Sequence, residues 1–264
     1  MNLLEQMNVD LGIDKQYIEC CARRNNLYAK YYIKKKNGDK RPILQPSKEL
    51  KALQYWLIKN VFIHFPISDY SSAYQKGCSI KKNADCHKSG KYVLHTDIVK
   101  FFESITQKTM LSFFQRNKEI INDLRLSNEE IALILDLVLY NGKYLVVGSV
   151  ASPMISNCVM FDFDLKLAKL VEKENMKYTR YADDIVISSD KYIDSSILND
   201  IDNLLAEYGF RRNRQKTYFM NRKGKREITG VVIDNNDNSL SLGRKKHIQL
   251  KQDIYLSLIH ISEP

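Results

Sequence analysis

Between Ser47 and Phe62 the apolar residues Leu50, Leu53, Leu57, Ile58, Val61 and Phe62 recur on one face at helical spacing, the signature of a helix with one buried side. Ser47 supplies a hydroxyl N-cap and Glu49 an acid in the first turn, so a helix is predicted to open there. A second helix is predicted from Ile131 to Leu139, with Ser127 and Glu130 spaced as a capping box ahead of it. Ser152-Pro153 reads as an N-cap followed by proline at the first helical position, with Ile155, Val159, Leu165 and Leu170 forming the apolar face behind it.

Strand patterns lie between these helices. Lys91 to Thr96 and Met176 to Ser189 read as β-structure, and the polar turn Ala182-Asp183-Asp184 divides the second region into two antiparallel strands around an acidic tip. Asn37-Gly38-Asp39 is a turn signal between two extended segments of KKKNGDKRPILQPS, which predicts a basic hairpin. Helices and strands interleave without regular βαβ alternation, so the fold class is α+β. No Pro-, Gly- or Ser-rich linker marks a cut between independent domains, so subdomains sharing a core are expected.

Composition narrows the function. With 44% apolar and 27% charged residues the chain can bury a substantial core, which excludes disordered and collagen-like classes. Its 41 Lys and Arg against 31 Asp and Glu leave +10, which favours a polyanionic partner. The densest charge is Arg211, Arg212, Arg214, Lys216, Arg222, Lys223, Lys225 and Arg226, with no acid among them, so a basic surface is expected there. MNLLEQMNVD has no basic segment before an apolar run, and the run Ile131 to Tyr140 is interrupted by Asp136, so a soluble cytoplasmic chain without a membrane partner is expected. Cys20, Cys21, Cys78, Cys86 and Cys158 include no CxxC pair and read as reduced thiols. Cys78, Cys86 and His87 match no zinc-ligand spacing.

The candidate chemistry lies at the acidic tip. Asp183 and Asp184 alone fit either a polar turn or a metal platform. Asp97, at the end of the strand KYVLHT, adds a third carboxylate from a neighbouring strand of the same sheet. Three converging carboxylates are what two-metal phosphoryl transfer requires, and the metals relieve their mutual repulsion.

YADD at Tyr181 to Asp184, Asp97 opening DIVKFF, GSVASPMISN at Gly148 to Asn157 and NRQKT at Asn213 to Thr217 resemble the palm motifs of reverse transcriptases, in their order and spacing. Within that family QPSKELKALQYWLIKN, the NAxxH match Asn83-Ala84-Asp85-Cys86-His87 and Ile228-Thr229-Gly230 resemble the bacterial retron enzymes. The resemblance implies a right-hand polymerase fold with fingers and palm, the thumb mostly missing. It places N-terminal helices and fingers in residues 1–90, the palm in 91–227 with part of 103–145 helical, and a primer-grip region with a truncated start of a thumb in 228–264.

The resemblance also implies roles. Asp97 and Asp183 would ligate two magnesium ions, Asp184 would complete the site and Ile98 would offer a backbone carbonyl. Phe102 falls at the steric-gate position that selects deoxynucleotides; read without the family, one of Phe101 and Phe102 is core. Lys40 and Arg41 would hold the incoming triphosphate, Lys216 would protonate the leaving pyrophosphate or contact the triphosphate, and Gly148 would let template or nucleotide approach closely. Asn83, His87, Arg211, Arg212, Arg214, Thr229 and Gly230 are placed on the RNA or template-primer side, with local structure the other reading of His87.

The activity implied is RNA-directed DNA synthesis from deoxynucleoside triphosphates. A structured noncoding RNA would serve as template and primer, giving an RNA–DNA hybrid and an RNA-linked single-stranded DNA in antiphage defence beside an effector protein. Val147 stands where the family often has Gln, which weakens inferences about the nucleotide pocket. SLIHISEP at Ser257 to Pro264 resembles translated sequencing-adapter sequence, so a truncated reading frame is expected. A group II intron-like or other defence reverse transcriptase is the first alternative, and a noncatalytic RNA-binding fragment on the same fold is the second.

Overall fold

The computed structural model describes residues 2–24, 27–34 and 38–262. The chain begins with helices α1 (Leu3–Leu11) and α2 (Lys15–Arg23), the strands β1 (Tyr28–Lys34) and β2 (Lys40–Pro46), and helices α3 (Lys48–Asn60) and α4 (Ile80–His87). Strand β3 (Tyr92–Ile98) precedes α5 (Phe101–Ser104), α6 (Gln107–Arg116), α7 (Lys118–Asp123), α8 (Asn128–Val138), α9 (Ser152–Val159) and α10 (Phe161–Glu172). Then come β4 (Lys177–Tyr181), β5 (Asp184–Ser189), α11 (Ile197–Glu207), β6 (Arg212–Asn221), β7 (Arg226–Ile228), β8 (Val231–Ile233), β9 (Leu240–Ser241) and α12 (Gly243–Ser262). No helix among the described residues is long and apolar enough to cross a membrane.

These elements pack as two compact units. Met1–Asp69, Ile98–Lys166 and Asp202–Arg211 form the first. In it β1 and β2 pair as an antiparallel hairpin with Lys34 opposite Lys40; of its expected turn, Asn37 lies outside the described residues. Ser47 caps α3 by accepting from the Leu50 amide, and Leu50, Leu53, Trp56 and Leu57 are buried. The predicted capping box opens α8, with Ser127 and Glu130 bonded reciprocally.

Two details differ from the sequence pattern. Ser152 is the first residue of α9 rather than its cap, and its hydroxyl donates to the Val146 carbonyl. The helical run then breaks at Met160, which resets the phase, so Leu165 is exposed while Phe163, Leu167, Ala168 and Val171 are buried.

Tyr70–Asp97, Leu167–Ile201 and Arg212–Pro264 form the second unit. Its main sheet has the order β4-β5-β3-β6, with β5 antiparallel to both β4 and β3. The outer edge of β4 is covered by residues 70–72: the Arg180 amide donates to the Tyr70 carbonyl and the Ser72 amide to the Arg180 carbonyl. A smaller sheet, β7-β8-β9, shares a core with α4 and the main sheet through Ala84, Val93, Val186, Met220, Ile228, Val231 and Ile233.

Arg226, at the start of β7, corrects the sequence reading. It is fully buried rather than part of a basic surface. Its guanidinium donates to the Asn235 and Asn238 side-chain oxygens and to the carbonyls of Lys88, Gly90 and Asp234, which satisfies a cation that burial would otherwise penalise heavily.

Candidate active site

The site grows out of a two-residue hairpin. Tyr181 pairs with Asp184, so Ala182 and Asp183 form the loop between β4 and β5. Ala182 has a positive φ of 56°, a conformation that costs a non-glycine residue about 1–3 kcal/mol. The buried Arg180 holds this tip by donating Nη1 to the Ala182 carbonyl at 3.0 Å. Asp184, the first residue of β5, sits directly opposite Asp97 on β3, a like-charge pairing that is unfavourable unless something neutralises it.

Asp97, Asp183 and Asp184 bring one carboxylate oxygen each to within 4.8 Å of one another. Asp97 is buried; the other two are half-buried. Burial, reinforced by the charges of Asp184 and Asp97, pushes the Asp183 carboxyl up to about 7. Three hard-oxygen donors under mutual repulsion are the donor set a divalent cation fits.

Strands β3 and β6 supply the partners of these carboxylates. Lys216 Nζ lies 2.7 Å from Asp97 Oδ2, and Asn213 Nδ2 donates to Asp97 Oδ1 at 3.2 Å. His95, two residues before Asp97 and on the same face of the strand, places Nε2 3.3 Å from Asp184 Oδ1. Its ring stacks on Tyr218 with centroids 4.7 Å apart. Thr96 and Thr217 join β3 to β6 through their hydroxyls at 2.7 Å. His95, Arg180, Asn213 and Tyr218 received no role in the sequence reading. The two-residue alternation from Asp97 was the available signal for His95; for Arg180 there was none.

The NAxxH residues are interior. Asn83 and His87 are both fully buried, and each is bonded to other residues of the protein. His87 Nδ1 lies 2.7 Å from Ser188 Oγ and Nε2 lies 2.7 Å from Thr179 Oγ1. Thr179 donates to Asn83 Oδ1 at 2.5 Å, and Asn83 Nδ2 donates to Thr229 Oγ1 at 3.2 Å. Burial, with the Lys177 charge nearby, holds the His87 ring neutral, its pKa pushed down to about 3.

Of the other expected residues, Arg214 is exposed and Arg212 is half-buried, donating to Thr217. Lys40, Arg41, Phe102, Gly148 and Arg211 belong to the first unit. There Lys40, Arg41 and Arg211 are exposed. Phe101 is the core member of its pair, and Phe102 is half-buried beside it with ring centroids 5.4 Å apart. Gly148 has φ of 108°, and a Cβ there would lie 2.6 Å from the Leu44 carbonyl oxygen. The chain's own strand β2 therefore closes on Gly148.

Comparison with known proteins agrees with this geometry. Residues 33–233 match the family described as reverse transcriptase (RNA-dependent DNA polymerase). The retron Ec83 reverse transcriptase of Escherichia coli is 32% identical over 230 residues, covering 83% of this chain and 72% of that protein. The Escherichia coli retron Ec73 enzyme is 32% identical over 240 residues, covering 87% and 75%. The Myxococcus xanthus retron Mx65 enzyme is 28% identical over 260 residues, covering 93% and 60%.

Among solved structures, Candida albicans telomerase in complex with the TWJ fragment of telomeric RNA superposes with a TM-score of 0.55 at 14% identity, over 90% of this chain and 49% of that one. Apo telomerase from Candida tropicalis truncated from its C-terminal domain gives 0.52 at 14% identity, over 81% and 54%. This chain thus spans about half of each telomerase, and the likeness shows a shared right-hand polymerase fold. The chain belongs to the reverse transcriptase family, is of the retron type, and is an RNA-directed DNA polymerase.

Proposed function

We propose that the chain copies a cognate retron noncoding RNA, which serves as both template and primer, into an RNA-linked single-stranded DNA, and that this product acts in antiphage defence with an effector protein in the cytoplasm. The convergence of Asp97, Asp183 and Asp184 within 4.8 Å carries the catalytic part; likeness to the retron enzymes supports the substrate. Asp97, Asp183 and Asp184, with the Ile98 carbonyl, would hold two magnesium ions. When bound, such ions would supply activation of the primer hydroxyl and stabilisation of the leaving oxygen.

The chain's own residues do the rest. Arg180 and the strand pairing fix the carboxylates before substrate arrives, the preorganisation that electrostatic catalysis needs. Lys216 presents an ammonium beside Asp97, where it can pass to a phosphate oxygen or give a proton to the departing pyrophosphate. Lys40 and Arg41 offer charge-assisted donors to the triphosphate, Phe102 rejects a 2′-hydroxyl, and Arg211, Arg212, Arg214, Thr229 and Gly230 line the template-primer path.

Sequencing the nucleic acid that copurifies with the wild-type protein, alongside primer extension by an Asp183→Asn, Asp184→Asn variant, tests this reading. Recovery of one structured RNA joined to DNA, absent from the variant, is expected. Full extension by the variant, or recovery of unrelated RNA alone, overturns it.

A further inference from the structure

Beyond the reaction itself, the bonds of the NAxxH segment end on two hairpins. Their direction is fixed by donor accounting. Thr179 spends its only proton on Asn83 Oδ1, so its oxygen accepts from His87 Nε2–H, and Nδ1 accepts from the Ser188 hydroxyl. Asn83 then uses its amide donor on Thr229. The chain Ser188, His87, Thr179, Asn83, Thr229 thus runs one way, through a neutral ring, from the catalytic hairpin β4–β5 to the turn between β7 and β8.

That turn requires a brace. Ile228 pairs with Val231, leaving Thr229 and Gly230 as a two-residue loop, with φ of 48° and 82°. Both signs are those of the tight hairpin turn that Asn-Gly forms readily. A β-branched threonine in its first position is strained. The Asn83 amide, on an element 146 residues away in sequence, holds its hydroxyl there, while Lys246 Nζ donates to the Gly230 carbonyl at 2.6 Å. Gly90 leaves the room for this packing: a Cβ at Gly90 would lie 2.8 Å from the Ser188 Cβ.

We propose that Asn83 is a positioning residue that holds the Thr229–Gly230 turn in its strained conformation, and that His87 ties this support to the catalytic hairpin, so that α4 sets the turn relative to the catalytic tip. The kinetic arm of its test rests on the reading that Thr229 and Gly230 line the template-primer path; the exchange arm does not.

The test is a cycle on the full chain with Asn83→Ala, Thr229→Asn and both together. Thr229→Asn creates an Asn-Gly turn that favours the positive φ angles unaided. Hydrogen exchange of the Val231 amide, which closes the loop opposite Ile228, should without nucleic acid quicken about tenfold in Asn83→Ala, equivalent to about 1.4 kcal/mol of lost protection, and return towards wild type in the double variant. KM for template-primer should rise several-fold in Asn83→Ala with a smaller change in kcat, and recover in the double variant. Unchanged exchange in Asn83→Ala, or a defect that persists undiminished in the double variant, overturns the proposal. If Asn83→Ala does not fold, Asn83→Ser takes its place in the cycle. Restored exchange without restored KM would retain Asn83 as the brace and overturn only the placement of the turn on the template-primer path.

Discussion

The two hairpin tips of the second unit solve the same conformational problem differently. Ala182 and Thr229 each hold a positive φ in the first position of a two-residue loop. The catalytic tip is braced from within, by Arg180 of its own strand reaching the Ala182 carbonyl. The other tip is braced from outside, by Asn83 on α4 at the Thr229 hydroxyl and by Lys246 on α12 at the Gly230 carbonyl. A tip that must present carboxylates rigidly carries its support locally. A tip braced by a distant helix is set by whatever sets that helix.

The comparison can be broken at several points. Asp97→Asn removes the tip's chemistry and leaves both braces. Steady-state incorporation should fall about a thousandfold or more, as loss of metal-borne stabilisation worth several kcal/mol implies, with the melting temperature near wild type. Arg226→Met removes the donor set that fastens β7–β9 to residues 88–90. One buried and four partly buried oxygens lose a donor, at about 1–3 kcal/mol for the buried one, so urea unfolding should show a loss of about 3 kcal/mol or more.

Acid should act on the external brace. His87 has a folded pKa of about 3 against about 6.5 in an unfolded chain. The unfolded state therefore takes up a proton first as pH falls through that window, so this stability is present above the unfolded value and is lost on acidification. Between pH 7 and pH 5 the loss should be about 2 kcal/mol, and His87→Gln should show a correspondingly shallower pH dependence of unfolding.

Arg180→Met should cost about 1–3 kcal/mol, since the buried Ala182 carbonyl loses its donor, and should lower kcat without the KM signature assigned to Asn83. Smallest of all, Ala182→Gly relieves the strained φ, and thermal melts should show a gain of no more than about 1 kcal/mol. A large loss there would mean that the alanine methyl, buried in the tip, matters more than its backbone strain.

Much of this was readable from residue order. The capping box at Ser127, the helix after Ser47 and the acidic tip with Asp97 on its neighbouring strand follow from local spacing, and each is where that spacing put it. What escaped the sequence is burial of polar groups by partners remote in the chain. Arg226 sits in a run of cations and reads as surface, yet residues 88–90 and 234–238 converge on it. Asn83 and His87 are polar residues on a short helix, and only the fold shows that both are enclosed. Leu44 of β2 lies against Gly148, a neighbour about a hundred residues away that local spacing does not announce.

The neutral cage around Arg226 has a practical consequence. The guanidinium itself is fully buried and its hydrogen bonds end on uncharged amide and carbonyl oxygens, which screening weakens little, whereas exposed arginines and lysines grip phosphates through interactions that salt dissolves. A concentrated-salt wash should therefore strip bound nucleic acid while the second unit stays folded. Bench purification has to choose: mild buffer to learn what the protein carries, strong buffer to obtain it bare.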